Sequence, residues 1–184
     1  MVWSAATALV VSFDHERFQP ENIGLPKFGE VGPGFYRSGQ PTEAGFRTAA
    51  AFGVRTVVDL RTERKRSRKE KAVVESLGMR YVNVPLRGFH KPNEVDIERL
   101  LDIVANPTHQ PVLIHCRHGV DRTGIVVAAY RIRFDGWSAE TAYREMRRFG
   151  FRWFLVGMKG FVFDYARRNR QPQAITAAAM NSLW

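Results

Sequence analysis

At 184 residues, 45 % of them hydrophobic and 25 % charged, the chain has the composition of a single folded domain, which excludes a fibrous or wholly disordered polymer. A domain of this length buries roughly 70 % of the surface its unfolded form exposes, enough to fold without a disulfide or a structural metal. The single cysteine excludes an internal disulfide and a cysteine-rich zinc site, and the net charge of +10 favours polyanionic partners: phosphorylated substrates, anionic lipid head groups or nucleic acid.

Residues 1–27 read as an N-terminal extension, 28–170 as the folded domain and 171–184 as a polar, then alanine-rich, tail. The apolar stretch from Ala5 to Val11 is far shorter than the ~20 residues that span a bilayer, and no basic region precedes it. It is either a frayed or docked terminus of a cytoplasmic protein, or the remnant of an export or anchor segment that would put the domain in the periplasm or at a membrane.

Within the domain, Pro33-Gly34 turns into a strand from Phe35 to Ser38, closed by Gly39-Gln40-Pro41. Thr42 is the N-cap of a helix through Phe52, with Gly53 as its stop. Thr56-Val57-Val58 marks a buried strand between Arg55 and Leu60. From Arg61 to Lys71, seven of eleven residues are Lys or Arg, and a second helix runs from there to Leu77. This basic run reads as a solvated face, or as a contact for an anionic membrane or an acidic peptide.

Met79 to Val84 is the next strand, and a helix opening at Pro92 or Asn93 presents Val95, Ile97, Leu100, Leu101 and Val104 as one buried side. Pro111 to Ile114 forms a short buried strand, Thr123 to Phe134 a helix, and Ser138 opens an amphipathic helix ending near Gly150. The aromatics Phe151, Trp153, Phe154, Phe161, Phe163 and Tyr165 are expected to close over the core. Strand and helix signals alternate, which predicts a sheet covered by helices.

The chemistry is concentrated in Ile114-His115-Cys116-Arg117-His118-Gly119-Val120-Asp121-Arg122-Thr123-Gly124, between an apolar strand and a helix start. His-Cys followed at this spacing by Arg-Thr-Gly arises by chance in roughly one chain in ten thousand. A backbone turning from strand to helix here can aim the N–H groups from Arg117 through Arg122 inward, forming a nest for a dianion at a helix N-terminus. Gly119 and Gly124 allow the tight curvature. The planar guanidinium of Arg122 can hold two phosphoryl oxygens, and the same positive surroundings favour the thiolate of Cys116, a nucleophile for phosphorus. Thr123 is either a donor to the sulfur or a helix N-cap, and both roles are compatible. His115 is expected to orient the loop rather than react. Arg117 and His118 add positive character at the floor or the rim.

Cys116, five intervening residues, Arg122 and Thr123 resemble the signature loop of the protein-tyrosine-phosphatase superfamily, in its small bacterial dual-specificity-like branch. Phe35-Tyr36-Arg37-Ser38-Gly39-Gln40-Pro41, Val57-Val58-Asp59-Leu60-Arg61 and Gly136-Trp137-Ser138 resemble the same branch, so the likeness covers roughly residues 28 to 150. The resemblance implies an α/β fold with a central, mostly parallel sheet flanked by helices. It also implies phosphomonoester hydrolysis in two steps through phosphocysteine, with no metal and no cofactor.

That branch leads one to expect an aspartate general acid about twenty to thirty residues before the cysteine, yet residues 86–93 hold no carboxylate. The nearest are Glu94 and Asp96. Asp121, inside the loop itself, is a third candidate; its alternative role is a salt bridge to an arginine, and an enzyme with no dedicated acid is also open. A phosphotyrosine or dual-specificity protein phosphatase is the leading expectation, with a phosphoinositide or inositol-phosphate phosphatase second. The expected partners are a phosphorylated protein or phosphoinositide and, for the basic run, an anionic membrane surface. A monomer is expected. A basic module gripping nucleic-acid phosphates is a remote third reading, because no nucleic-acid motif accompanies the charge.

Overall fold

The computed structural model describes residues 24–62 and 64–169, with the side chains at 64 and 66 excepted. Of the expected N-terminal extension, residues 1–23 fall outside the described residues, and the expected tail over 171–184 lies wholly outside them. The described elements are β1 (Gly29–Gly32), β2 (Phe35–Ser38), α1 (Glu43–Ala51), β3 (Thr56–Asp59), α2 (Arg64–Ser76), β4 (Arg80–Asn83), α3 (Glu94–Ala105), β5 (Val112–His115), α4 (Asp121–Arg133), α5 (Ala139–Arg148) and α6 (Val156–Arg168).

The sheet runs β1-β2-β5-β3-β4; β2, β5, β3 and β4 are parallel to their neighbours, and β1 pairs antiparallel with β2. The mostly parallel α/β fold is the one expected. β1 was not anticipated, because Gly-Glu-Val-Gly carries two glycines and one β-branched residue and gives no strand signature.

Side chains alternate across a strand, and the two central strands distribute theirs to two cores. Val58 of β3 with Val112 and Ile114 of β5 join the core under α3 to α6, while Val57 and Leu113 join the one under α1 and α2. The alternation carries past the hydrophobic residues. Asp59, two after Val57, and His115, two after Leu113, point toward α2, whereas Cys116 falls in the core cluster under α4.

In α2, Ser67, Glu70 and Val74 recur at helical spacing and are buried, while Lys65, Arg68, Lys69 and Lys71 are exposed. Lys65, Arg68, Lys69 and Lys71 of the basic run are therefore the solvent side of an amphipathic helix, whereas Arg61 precedes the helix and is buried at 1 % exposure. Two expectations need correction, and one helix was not anticipated. Val95 is 72 % exposed: Ile97, Leu100, Leu101 and Val104 form the inward stripe of α3, and two residues before Ile97 is more than half a turn away. Trp153 and Phe154 do not cover the core but stand 71 % and 51 % exposed, although Phe151, Phe161 and Tyr165 are buried. The stretch from Val156 is a helix, α6, whose pattern was masked by Gly157, Gly160 and the clustered aromatics.

Candidate active site

β5 ends at His115 and α4 begins at Asp121, two residues ahead of the expected start, so residues 116–120 make the whole turn from strand to helix. Helices α1, α3 and α5 begin with side-chain caps: Thr42 Oγ1 accepts from Gly45 N at 3.1 Å, Asn93 Oδ1 from Val95 N at 3.1 Å and Ser138 Oγ from Thr141 N at 3.2 Å. α4 differs. Its N-cap is Val120, which offers no side-chain acceptor, so the amide donors of its first turn are left for an anion. Thr123, two residues inside the helix, does not take the N-cap role; it is fully buried and its hydroxyl has no partner among the described residues.

The loop is held from outside. Gly119 has φ of +69°, and a Cβ there would lie 2.5 Å from Gly39 N and 2.7 Å from the Ser38 carbonyl carbon, so conformation and space both demand glycine. Arg37 of β2, fully buried, donates from Nη2 to Gly119 O at 2.7 Å and lies 3.6 Å from the Phe149 ring centre. Burial pulls its guanidinium down to about 10, against the opposing influence of Glu145 and Cys116. Gln40 N donates to Arg117 O at 3.2 Å. Braced in this way, the Gly119 amide points back at the cysteine and donates to Cys116 Sγ at 3.3 Å. Cys116 is 2 % exposed, and Val120 is buried beside it. Arg122 is half-buried with Nη1 3.4 Å from Leu60 O, at the end of β3. Arg117 and His118 are exposed, which assigns them to the rim and not the floor.

Beneath the loop lies a buried charge cluster. Asp59 accepts from Arg61 N at 2.9 Å, Nε at 2.8 Å and Nη2 at 2.9 Å, from Ser67 Oγ at 2.8 Å and from Tyr81 Oη at 2.7 Å. Arg61 Nη2 also donates to Glu70 Oε2 at 2.6 Å, and the other Glu70 oxygen lies 2.9 Å from His115 Nε2. Burial pushes the Asp59 carboxyl up, but hydrogen bonds from Arg61 and Tyr81 and the neighbouring His115 and Arg61 outweigh it and hold the group down at about 2. Burial alone would lower Arg61, and Asp59 and Glu70 reverse that and raise it. Ligand atoms of Asp59, Glu70 and His115 come within 4.8 Å of one another, the spacing of a metal centre. The Arg61 guanidinium already bridges the two carboxylates and supplies the positive charge there.

The carboxylates named as acids have separate fates. Asp121 lies in the first turn of α4 and is tied to Arg152: Oδ1 accepts from the Arg152 backbone N at 3.2 Å, and Oδ2 from Nε at 3.0 Å and from Nη2. Glu94 pairs with Arg168 at 2.7 Å. Asp96 is half-buried in the first turn of α3. The loop at 86–93, where an acid was sought, instead presents Phe89, at φ of +69° and 4.9 Å from the Arg152 guanidinium carbon.

The family model described as a DSP-PTPase phosphatase fused to NAD+ kinase matches residues 27–154. The chain belongs to this dual-specificity phosphatase family. It is 32 % identical over 121 residues to the dual specificity protein phosphatase TpbA of Pseudomonas aeruginosa strain UCBPP-PA14, covering 66 % of this chain and 53 % of TpbA, so it spans about half the length of that relative. Its fold superimposes on the core catalytic domain of the PP-IP phosphatase SIW14 of Saccharomyces cerevisiae with a TM-score of 0.69 and 25 % identity, over 88 % of this chain and 96 % of that one. A cysteine-to-serine variant of P. aeruginosa TpbA in complex with phosphotyrosine matches with a TM-score of 0.66 and 25 % identity, over 82 % of this chain and 91 % of that one.

Within this family fold, four contributors to the site escaped sequence reasoning. Arg37 lay in a quoted motif but had no role; Asp59 and Glu70 stabilise the floor; Arg152 was absorbed into an aromatic stretch. A signal existed for Asp59. An aspartate and an arginine closing the otherwise apolar run Val57-Val58-Asp59-Leu60-Arg61 are buried charges that must pair.

Proposed function

We propose that this chain is a metal-independent cysteine phosphatase in which Cys116 attacks phosphorus and Arg122, with the amides from Arg117 to Arg122, cradles the phosphoryl oxygens. The observation that carries this reading is the Gly119 amide donating to Cys116 Sγ beneath a helix start with no side-chain cap. Donors aimed at that spot stabilise sulfur as an anion and the charge that spreads over the equatorial oxygens in transfer. Sulfur–phosphorus bond formation breaks the phosphorus–oxygen bond and expels the leaving oxygen as an anion, which takes a proton from solvent; water then attacks phosphocysteine, releasing inorganic phosphate and returning the thiolate. The buried Thr123 hydroxyl, with no other partner among the described residues, is the donor that eases the departure of the thiolate.

Phosphorylated protein is the substrate class we favour, phosphotyrosine before phosphoserine, and the chain acts on it as a monomer. The preference rests on the acid. Residues 86–93 carry none, and Asp121 is engaged by Arg152, so substrates whose leaving group departs without a proton are served best. The same observation supports a second reading, an inositol diphosphate, whose leaving group is itself a phosphate. A relative of that activity, the inositol diphosphatase SIW14 of Saccharomyces cerevisiae, is 42 % identical over 55 residues, 30 % of this chain and 19 % of that relative. The test is turnover of an aryl phosphate by wild type and Cys116→Ser, with acid quenching to trap labelled phosphate on the protein. Serine should abolish both turnover and trapping; a serine variant that still turns over would sink the mechanism. Phosphotyrosyl peptide against inositol diphosphate then separates the two substrates.

A further inference from the structure

Among the described residues, three aromatic rings stand far out of the surface on two loops beside the phosphate loop: Phe89 at 62 %, Trp153 at 71 % and Phe154 at 51 % exposure. They form one patch. The Arg152 guanidinium carbon lies 4.9 Å from the Phe89 ring centre and 6.0 Å from that of Phe154, whose ring in turn meets Trp153 edge-on at 6.0 Å. Arg152 ties the patch to the catalytic loop through Asp121. Exposed apolar surface of this kind has a partner more often than not.

The charges around it identify the partner. Neither residues 86–93 nor residues 149–155 contain a carboxylate, and Asp121, the one acid of the neighbouring loop, is neutralised by Arg152. Arg87 and Arg117 are exposed and make no ion pair among the described residues, while Lys91 is occupied by Asp164 at 2.8 Å. The face is thus an aromatic tip set among unpaired cations with no free acid. A second copy would have to bring those cations against their own images, which repel. Tryptophan and phenylalanine flanked by arginine are instead the composition of a surface that enters the head-group layer of a bilayer. We propose that this face docks the protein onto an anionic lipid bilayer, with Phe89, Trp153 and Phe154 entering the interface and Arg87 and Arg117 meeting the head groups. This contact is distinct from the basic side of α2, and it turns the mouth of the catalytic loop toward the lipid.

Flotation of the Cys116→Ser chain tests docking apart from catalysis, because binding is read without turnover. The probes are vesicles of phosphatidylcholine alone and of phosphatidylcholine with about 30 % phosphatidylserine. Binding is expected on the anionic vesicles and should fade at high salt. The double variant Trp153→Ser/Phe154→Ser should partition more than about tenfold more weakly, and Phe89→Ser, on the other loop, should weaken it independently. Lys65→Glu/Lys69→Glu on α2 should change it less than about threefold. The aromatic variants, made with Cys116 intact, should keep wild-type melting and aryl phosphate turnover in solution. Failure to float with anionic vesicles overturns the proposal, as does flotation indifferent to both aromatic variants. So does a concentration-dependent dimer that those variants abolish.

Discussion

Two clusters of polar groups lie on opposite sides of residue 116, and they resolve their charges in opposite ways. Below, Asp59, Arg61, Glu70 and His115 are each at most 7 % exposed and pair with one another, with five hydrogen bonds converging on Asp59 alone. Above, the start of α4 lacks a side-chain cap, the Gly119 amide faces sulfur and the Thr123 hydroxyl has no partner among the described residues. Charges paired within the fold fix geometry; amide donors left over at a helix start are what recruits an anion. The two are joined by the backbone, since His115 belongs to the lower cluster and Cys116 to the upper.

The sharpest break in that contrast comes from removing a donor above while leaving the floor intact. Arg122→Lys keeps the charge but loses the planar fork, and it should lower kcat on an aryl phosphate by about a thousandfold. Urea melting should be nearly unchanged, because the Arg122 tie to the scaffold is one long hydrogen bond, 3.4 Å to Leu60 O. Equal losses of stability and rate would mean that Arg122 belongs to the floor.

The converse substitution is Asp59→Asn. It leaves Arg61 with Glu70 alone and should cost about 3 kcal/mol of stability, as expected for breaking a buried pair. The pH dependence carries a sign. The Asp59 carboxyl is held at about 2 in the fold, below its ordinary value of 3.8, so its contribution is complete above about pH 4 and is lost as pH falls toward 2. Wild type should lose about 2 kcal/mol more than the asparagine variant over that interval. Denaturant melts at several pH values check this, and parallel curves for the two proteins would show that Asp59 is not the group titrating.

This division also explains what could be read in advance. The upper cluster is local in sequence: strand, Cys116, glycine, Arg122 and helix lie within one short run, and their spacing carries the chemistry. The lower cluster is assembled from β3, α2, β4 and β5, and only the sheet register brings Glu70 to His115 and Tyr81 to Asp59. Helices with alternating polar and apolar faces and strands rich in valine were legible for the same local reason. β1 and α6 were not, because glycine-rich segments obtain their stability from tertiary neighbours and not from propensity. Arg152 was hidden by distance: it meets Asp121 across 31 residues, through a loop between two helices.

The smallest expected effect decides where Asp121 belongs. Its position in the loop suits an acid, but its oxygens are occupied by three donors of Arg152, which would have to let go before a proton could pass to a leaving oxygen. If it serves only to anchor Arg152, Asp121→Asn should slow an aryl phosphate and an alkyl phosphate by the same factor, less than about tenfold. A general acid would instead contribute about 10²–10⁴, concentrated on the poor leaving group. Arg152→Ala should reproduce the asparagine variant, and the double substitution should be no worse than either single one, since each breaks the same tie. A selective collapse on the alkyl substrate would move Asp121 out of the paired class and into the chemistry, and would raise phosphoserine among the substrates.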